Sequence, residues 1–300
     1  MDQTREVEME RCPLTPASGF PWKHQLPSPP LMAKQRRSKP NHTMTKTHSR
    51  IIFSLNSKGG SGNTAAMVAL ADFLIHNLGL NPKLVDCDLA NKTFGSLSHI
   101  FKGTPKLDVR TETGLDDLLA IAKPAELEEE KAGGSRIVLA DFGGGNEEDT
   151  VRWFNEMYDG LVGHDISFLG IGLLTSNVAS AKGILSWSAE LRDRINYLII
   201  RNHMAGSNFS YLFETEIGRK FFNASNAPVI DMEKRAQNIQ NELVNRGLSL
   251  RQAIDAPPDV AGPVLGTFAA RVRMRGYVAR LEEQFATVTA TLVPDLAVPV

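Results

Sequence analysis

Between positions 57 and 64 the chain reads Ser57-Lys58-Gly59-Gly60-Ser61-Gly62-Asn63-Thr64, with three glycines in four consecutive positions. Upstream, Arg50-Ile-Ile-Phe-Ser-Leu-Asn56 has the length and apolar density of a short buried strand. Downstream, residues 64–78 carry apolar side chains at 67, 71, 74, 75 and 78, the spacing of a helix face, and Gly79 closes that helix. A glycine-rich turn joining strand to helix lets backbone N–H groups converge on an anion, and the helix N-terminus adds partial positive charge. The same glycines also serve tight packing of strand on helix, so the turn is a candidate phosphate cradle whose surroundings must decide.

Those surroundings are acidic. Lys83-Leu-Val-Asp86-Cys87-Asp88 reads as a second strand ending in two carboxylates. Arg136-Ile-Val-Leu-Ala-Asp141-Phe-Gly-Gly-Gly145 reads as a third, ending in one carboxylate and three glycines. In an open α/β sheet, ligands bind at the carboxyl ends of the strands, so three motifs converge on one edge. Each acid is also open to the plainer reading of a turn carboxylate. Asn146 offers a cap, and Glu147, Glu148 and Asp149 an acidic first turn, for a helix through Tyr158 whose Trp153 and Phe154 face the core. Residues 167–174, 196–201 and 227–230 read as further strands, and 178–193, 208–222, 232–247 and 266–290 as helices. This alternation predicts an α/β fold, a doubly wound and mostly parallel sheet. In the last helix Arg271, Arg273, Arg275 and Arg280 flank an apolar line at 274, 277, 278, 281 and 285, which predicts a helix packed on the sheet with a solvated basic face.

The net charge of −1 hides a split: residues 1–50 hold nine Lys/Arg against four Asp/Glu, leaving 24 against 30 in the rest. With Pro13, Pro16, Pro21, Pro27, Pro29 and Pro30, residues 1–49 cannot bury enough surface to order themselves and are expected to form a basic, disordered extension. Met32 and Met44 offer alternative starts within it. The extension is either a solvated arm or one that touches DNA or an acidic partner. Residues 50–292 then form the folded domain and 293–300 a loose tail. The longest apolar stretch, residues 168–174, falls far short of the roughly 20 residues that span a bilayer. Cys12 and Cys87 lack any paired spacing, which disfavours a disulfide scaffold and predicts a cytoplasmic protein. Cys87 reads as a small buried filler, a poor nucleophile between two aspartates. No histidine pair has metal-ligand spacing, and no G-x-S-x-G elbow occurs.

The blocks at 57–64, 86–88 and 136–145 resemble the ParA/MinD group of P-loop ATPases, whose deviant Walker A loop reads x-K-G-G-x-G-K-[S/T]. The resemblance spans most of residues 50–235, and the run Asp86-x-Asp88-x-x-Asn91-x-Thr93-Phe94 is similar, more narrowly, to TraL-type conjugal-transfer proteins. It implies a three-layer P-loop fold that binds ATP and Mg²⁺ and dimerises around the nucleotide, acting in plasmid conjugal transfer or partition with a transfer or partition protein as partner. By the same resemblance Gly59, Gly60, Ser61, Gly62, Asn63 and Thr64 cradle phosphates. Lys58 reaches across the dimer, Thr64 holds Mg²⁺, and Asp141 holds it through water. Asp88 orients the attacking water, and Asp86 opens the first switch segment. Asn202, after Leu198-Ile-Ile-Arg201, matches an adenine-contacting asparagine and equally suits a strand-end cap. One position departs from the pattern: Asn63 stands where the group has its loop lysine. A hydrogen bond to a charged group is worth roughly 1.5–3 kcal/mol, so that loss weakens binding or turnover by about one to two orders of magnitude. Two activities therefore remain open, a slow ATPase and a non-hydrolysing nucleotide-binding adaptor. A small-molecule ligase on a related scaffold is a third, and would need a substrate pocket beside the phosphates.

Overall fold

The computed structural model describes residues 48–55, 60–89, 96–123 and 136–293, all within a unit spanning Met44–Val300. Lys58, Gly59, Cys12, Asn91, Thr93, Phe94 and both chain ends lie outside the described residues. Six strands form one sheet: β1 (Ser49–Ser54), β2 (Lys83–Cys87), β3 (Arg136–Phe142), β4 (Ile166–Leu174), β5 (Asn196–Asn202) and β6 (Val229–Met232). Every pairing is parallel, in the order β2-β3-β1-β4-β5-β6. All six residues of β1 are buried. A central parallel strand is covered on both faces, which is why Ile51, Ile52 and Phe53 are consecutively apolar and do not alternate with polar residues.

Seven helices of ten or more residues cover this sheet among the described residues: α1 (Asn63–His76), α2 (Glu112–Ala122), α3 (Glu147–Leu161), α4 (Val178–Leu191), α5 (Glu216–Ser225), α6 (Gln237–Arg246) and α7 (Phe268–Thr287). Ile52 points to one face, with Leu70 of α1, Ile239 of α6 and Met274 of α7. Its neighbours Ile51 and Phe53 point to the other, with Leu118 of α2, Phe154 of α3, Ile184 of α4 and Phe221 of α5. The result is the expected α/β, doubly wound parallel sheet in three layers.

Several boundaries differ from the sequence expectation, each for a local reason. The helix expected over 208–222 is two, Ser210–Glu214 and α5, because Thr215 is extended (φ −74°, ψ 154°) and its hydroxyl accepts the Gly218 N–H at 3.2 Å, starting a new helix. α6 begins five residues late because the chain still pairs with β5 through Met232. α2 was not anticipated; Thr111 caps it by accepting the Gly114 N–H at 3.1 Å. Asn146 precedes α3 as expected but is helical in backbone (φ −97°, ψ 0°) and makes no side-chain cap bond. Trp153 and Phe154 are buried, and α7 buries Met274, Tyr277, Val278, Leu281 and Phe285 while Arg273 and Arg275 stay exposed. No helix among the described residues is long and apolar enough to cross a membrane.

One buried acid ties the C-terminal segment to α1. Asp72 is 5% exposed and accepts hydrogen bonds from the Ser249 hydroxyl at 3.0 Å and the Arg251 N–H at 3.4 Å. Burial pushes its pKa up from 3.8 to about 6, against those two bonds. The folded state therefore holds a proton that the unfolded chain releases near pH 4, so this group's contribution to stability falls as pH rises from about 4 to about 6. Asp72→Asn removes that slope and keeps an acceptor for Ser249. Its unfolding free energy relative to wild type is expected to climb across pH 4–6 and level off above, by up to about 3 kcal/mol at 1.36 kcal/mol per pKa unit, and its melting temperature to follow. A gap that stays constant with pH sinks the assignment.

Candidate functional site

The turn at 60–62, which leads into α1, lies at a crevice made by the winding of the sheet. α1, which follows β1, packs on one face, whereas α3 and α4, which follow the two strands flanking β1, pack on the other. Helices diverging from adjacent strands leave an opening at the carboxyl edge, the place where α/β sheets bind ligands. Into it project the turn at 60–62, the end of β2 and the end of β3.

Gly60 (φ +87°) and Gly62 (φ +91°) hold the turn in the left-handed region, which side chains disfavour. Gly62 has a second reason to lack a Cβ, which would sit 2.6 Å from Asn202 Nδ2. α1 then starts at Asn63 with no side-chain cap and no acidic residue in its first turn. Its first intrahelical bond runs from the Ala66 N–H to the Gly62 carbonyl at 3.1 Å. The N–H groups of Asn63, Thr64 and Ala65 therefore have no helical acceptor, and an anion would supply one. Ser61 Oγ and Asn63 Oδ1 are buried in the same turn without partners.

The carboxylates divide into one that is satisfied and one that is not. Asp86 and Asp141 are register partners across β2 and β3, and both are buried. Asp86 Oδ1 accepts the Asp88 N–H at 3.3 Å, and Oδ2 accepts the Ser98 N–H at 3.1 Å and the Ser98 hydroxyl. It is thus an anchor for the short helix Leu97–Ile100. Asp141 is 1% exposed, and neither of its oxygens has a hydrogen-bond partner. Burial, then the charges of Asp86 and Asp88, push its pKa from 3.8 to about 7; the Thr64 and Ser54 hydroxyls oppose this. Those hydroxyls lie close enough to favour the ionised form without closing a bond, and the Ser54 hydroxyl donates to the Phe142 carbonyl instead. Asp88 is half-buried and packed against backbone, since a Cβ on Gly143 would fall 2.6 Å from its Oδ1. Cys87 between them is 4% exposed, and burial with Asp141 and Asp86 raises its thiol well above the usual range, as expected for a filler.

This arrangement fits Mg²⁺. A buried carboxylate with two unpartnered oxygens beside the Thr64 hydroxyl is short of a cation. No cluster of three or more His, Cys, Asp or Glu suited to grip a metal occurs among the described residues. Magnesium keeps several waters and relies on one or two carboxylates plus phosphate oxygens, so it needs no such cluster.

Asn202, at the end of β5, is 4% exposed. Its Nδ2 donates to the Ser61 carbonyl at 2.8 Å and its Oδ1 accepts the Met204 N–H at 3.0 Å. Both ends of the amide are engaged, one bracing the glycine turn and the other capping the chain as it leaves the strand. Beside it a cavity of about 590 Å³ opens at the carboxyl ends of β5 and β6. His203 and Asp231 stand on its wall, joined at 2.7 Å, with Arg201 paired to Asp231 at 2.5 Å and the His203 ring edge-on to Phe209 at 5.0 Å.

The fold thus gathers Gly60, Ser61, Gly62, Asn63, Thr64, Asp86, Asp88, Asp141 and Asn202 on one edge. Four participants escaped the sequence reading. Ser98, which holds Asp86, escaped because it lies four residues beyond the last position of the motif read at 86–94. Asn146, buried with an unpartnered Nδ2, was read as a cap. His203 lies just beyond β5, which was ended at Arg201, and carries no strand-end acid to mark it; Asp231 was missed because β6 was ended at Ile230, and with the strand extended by two residues the strand-end rule that picked out Asp86 and Asp141 would have found it.

No protein-family model and no curated protein matches the chain. Among solved structures, the MinD cell division protein of Aquifex aeolicus is similar over 78% of this chain and 98% of that one, at 14% identity and a TM-score of 0.42.

Proposed function

We propose that this chain is a nucleotide-dependent switch ATPase of the ParA/MinD type, binding ATP with Mg²⁺ in the crevice after β1, dimerising around it, and serving plasmid conjugal transfer or partition. The observation that carries this reading is Asp141, a buried carboxylate with no partner, held beside Thr64 at the uncapped N-terminus of α1. A packing turn would not leave an ionisable group in that condition.

Phosphate oxygens would be held by the N–H groups of the turn and of the first residues of α1. Mg²⁺, held by Thr64 and through water by Asp141, would supply neutralisation of charge on the terminal phosphates. Asp88, pinned against Gly143, would orient the attacking water. Lys58 of a neighbouring copy would provide the cation that Asn63 does not. The cavity beside Asn202 would receive the nucleoside, with Asn202 acting through the turn it braces. Isothermal titration with ATP and ADP, with and without Mg²⁺, tests the reading together with sizing of the complex. ATP with Mg²⁺ is expected to bind and promote dimers, and Lys58→Ala to lose the dimer. An absence of heat at millimolar ATP rejects it.

A second reading, a non-hydrolysing adaptor that dimerises around ATP and recruits a transfer or partition partner, is favoured by one observation: the residue at the lysine position is neutral and buried, 8% exposed. Tight ATP binding without phosphate release selects the adaptor.

A further inference from the structure

Sharing Lys234, Tyr277 and Arg280 with the cavity beside Asn202 is a second cavity, of about 320 Å³, whose lining carries four cations and no carboxylate. Lys234 and Arg235 come from the segment between β6 and α6, Arg273 and Arg280 from α7. Arg280 is paired to Glu233 at 2.9 Å; Lys234, Arg235 and Arg273 have no ion-pair partner among the described residues. Arg235 Nε is fully enclosed and makes no hydrogen bond, and the Tyr277 hydroxyl beside it is likewise buried and unpartnered. The guanidinium lies over the Tyr277 ring, 5.2 Å from its centre. Burial lowers the pKa of Arg235, with Tyr277 alone opposing. The two Nη atoms of Arg235 are not enclosed and make no hydrogen bond among the described residues, so they offer charged donors to one anionic oxygen or pair of oxygens. The rest of the lining is apolar, including Ile239, Leu250 and Met274.

We propose that this cavity is a binding site for a small amphipathic organic anion, a carboxylate, sulfonate or phosphate head on an apolar body. The Arg235 Nη atoms take the head, Arg273 and Lys234 guard the mouth, and Ile239, Leu250 and Met274 receive the body. The volume lies within the range of small-molecule sites, about 300–1,000 Å³. An extended polyanion fits poorly, because apolar side chains make up much of the lining, Ile239, Leu250, Val272 and Met274 among them. The site does not depend on nucleotide binding.

The test titrates the full chain with 1-anilinonaphthalene-8-sulfonate and follows its fluorescence. Wild type is expected to bind one equivalent saturably. Arg235→Gln should weaken binding about tenfold or more, as loss of a charged hydrogen bond does. Arg273→Gln, at an exposed position where folding is not at risk, should weaken it about threefold, on the order of one screened charge. Lys58→Ala should leave it unchanged. The uncharged N-phenyl-1-naphthylamine should not discriminate wild type from either arginine variant. Octyl sulfate should displace the dye. Equal dye affinity in wild type and both arginine variants overturns the proposal, as does displacement by duplex DNA without displacement by octyl sulfate.

Discussion

Asp141→Asn is expected to melt above wild type at pH 8 in buffer free of nucleotide and divalent metal, and to gain less than wild type from added ATP with Mg²⁺ under the proposed function. The wild-type carboxylate is buried, has no hydrogen-bond donor on either oxygen, and faces Asp86 and Asp88. At pH 8 it is ionised in both folded and unfolded chains, and the folded chain bears the full cost of holding that charge. A displacement from 3.8 to about 7 corresponds to about 4 kcal/mol at 1.36 kcal/mol per unit. In a domain of roughly 250 residues each kcal/mol moves the melting point by about 2–4 °C, so even partial relief gives a rise of about 3 °C or more. The sign has a pH signature. A folded-state pKa above the unfolded one means that this group's contribution falls as pH rises from about 4 to about 7, so the advantage of the variant should shrink toward pH 4. A group that lowers the stability of the free protein is the trade expected where function and stability compete, and the Mg²⁺ role proposed for Asp141 is a function of that kind. A lower melting point for Asp141→Asn at pH 8 than for wild type refutes the claim that this carboxylate is unsatisfied.

The sequence made some parts of this site readable because they obey short-range rules. The turn needs left-handed backbone at 60 and 62, which leaves glycine as the economical residue there, and the run 51–53 is buried on both faces, which leaves it apolar. Asp86 and Asp141 were visible as acids at strand ends. Their different conditions were not, because one is satisfied by Ser98, twelve residues along the chain, and the other by nothing. Asn202 shows the same limit. A strand-end asparagine has an amide with two ends, and only the fold reveals that one of them reaches back 141 residues to the carbonyl of Ser61. Arg235 was invisible for the opposite reason: an arginine in a charged segment reads as solvated unless α7 is known to close over it.

Asn63→Lys is expected to raise ATP affinity or turnover by about one to two orders of magnitude while slightly lowering the stability of the nucleotide-free protein. Asn63 is the first residue of α1, 8% exposed, and its Oδ1 has no partner, so replacing it breaks no internal hydrogen bond. A lysine there sits at the positive end of the helix and is repelled by about 0.3–1 kcal/mol until an anion arrives. With triphosphate bound, the same charge makes a charge-assisted bond worth roughly 1.5–3 kcal/mol, and each 1.4 kcal/mol is a factor of ten. The two effects have opposite signs, so the experiment contains its own control. Without nucleotide the variant should melt at or a little below wild type, and with ATP and Mg²⁺ well above it. Comparing calorimetric affinity with phosphate release then separates the two functional readings. Tighter binding with unchanged, undetectable release points to the adaptor, because charge at the loop was not what limited chemistry. Faster release shows that the asparagine had restrained an otherwise complete catalytic site. If neither affinity, release nor the nucleotide-dependent melting shift changes, the phosphates are not at the N-terminus of α1.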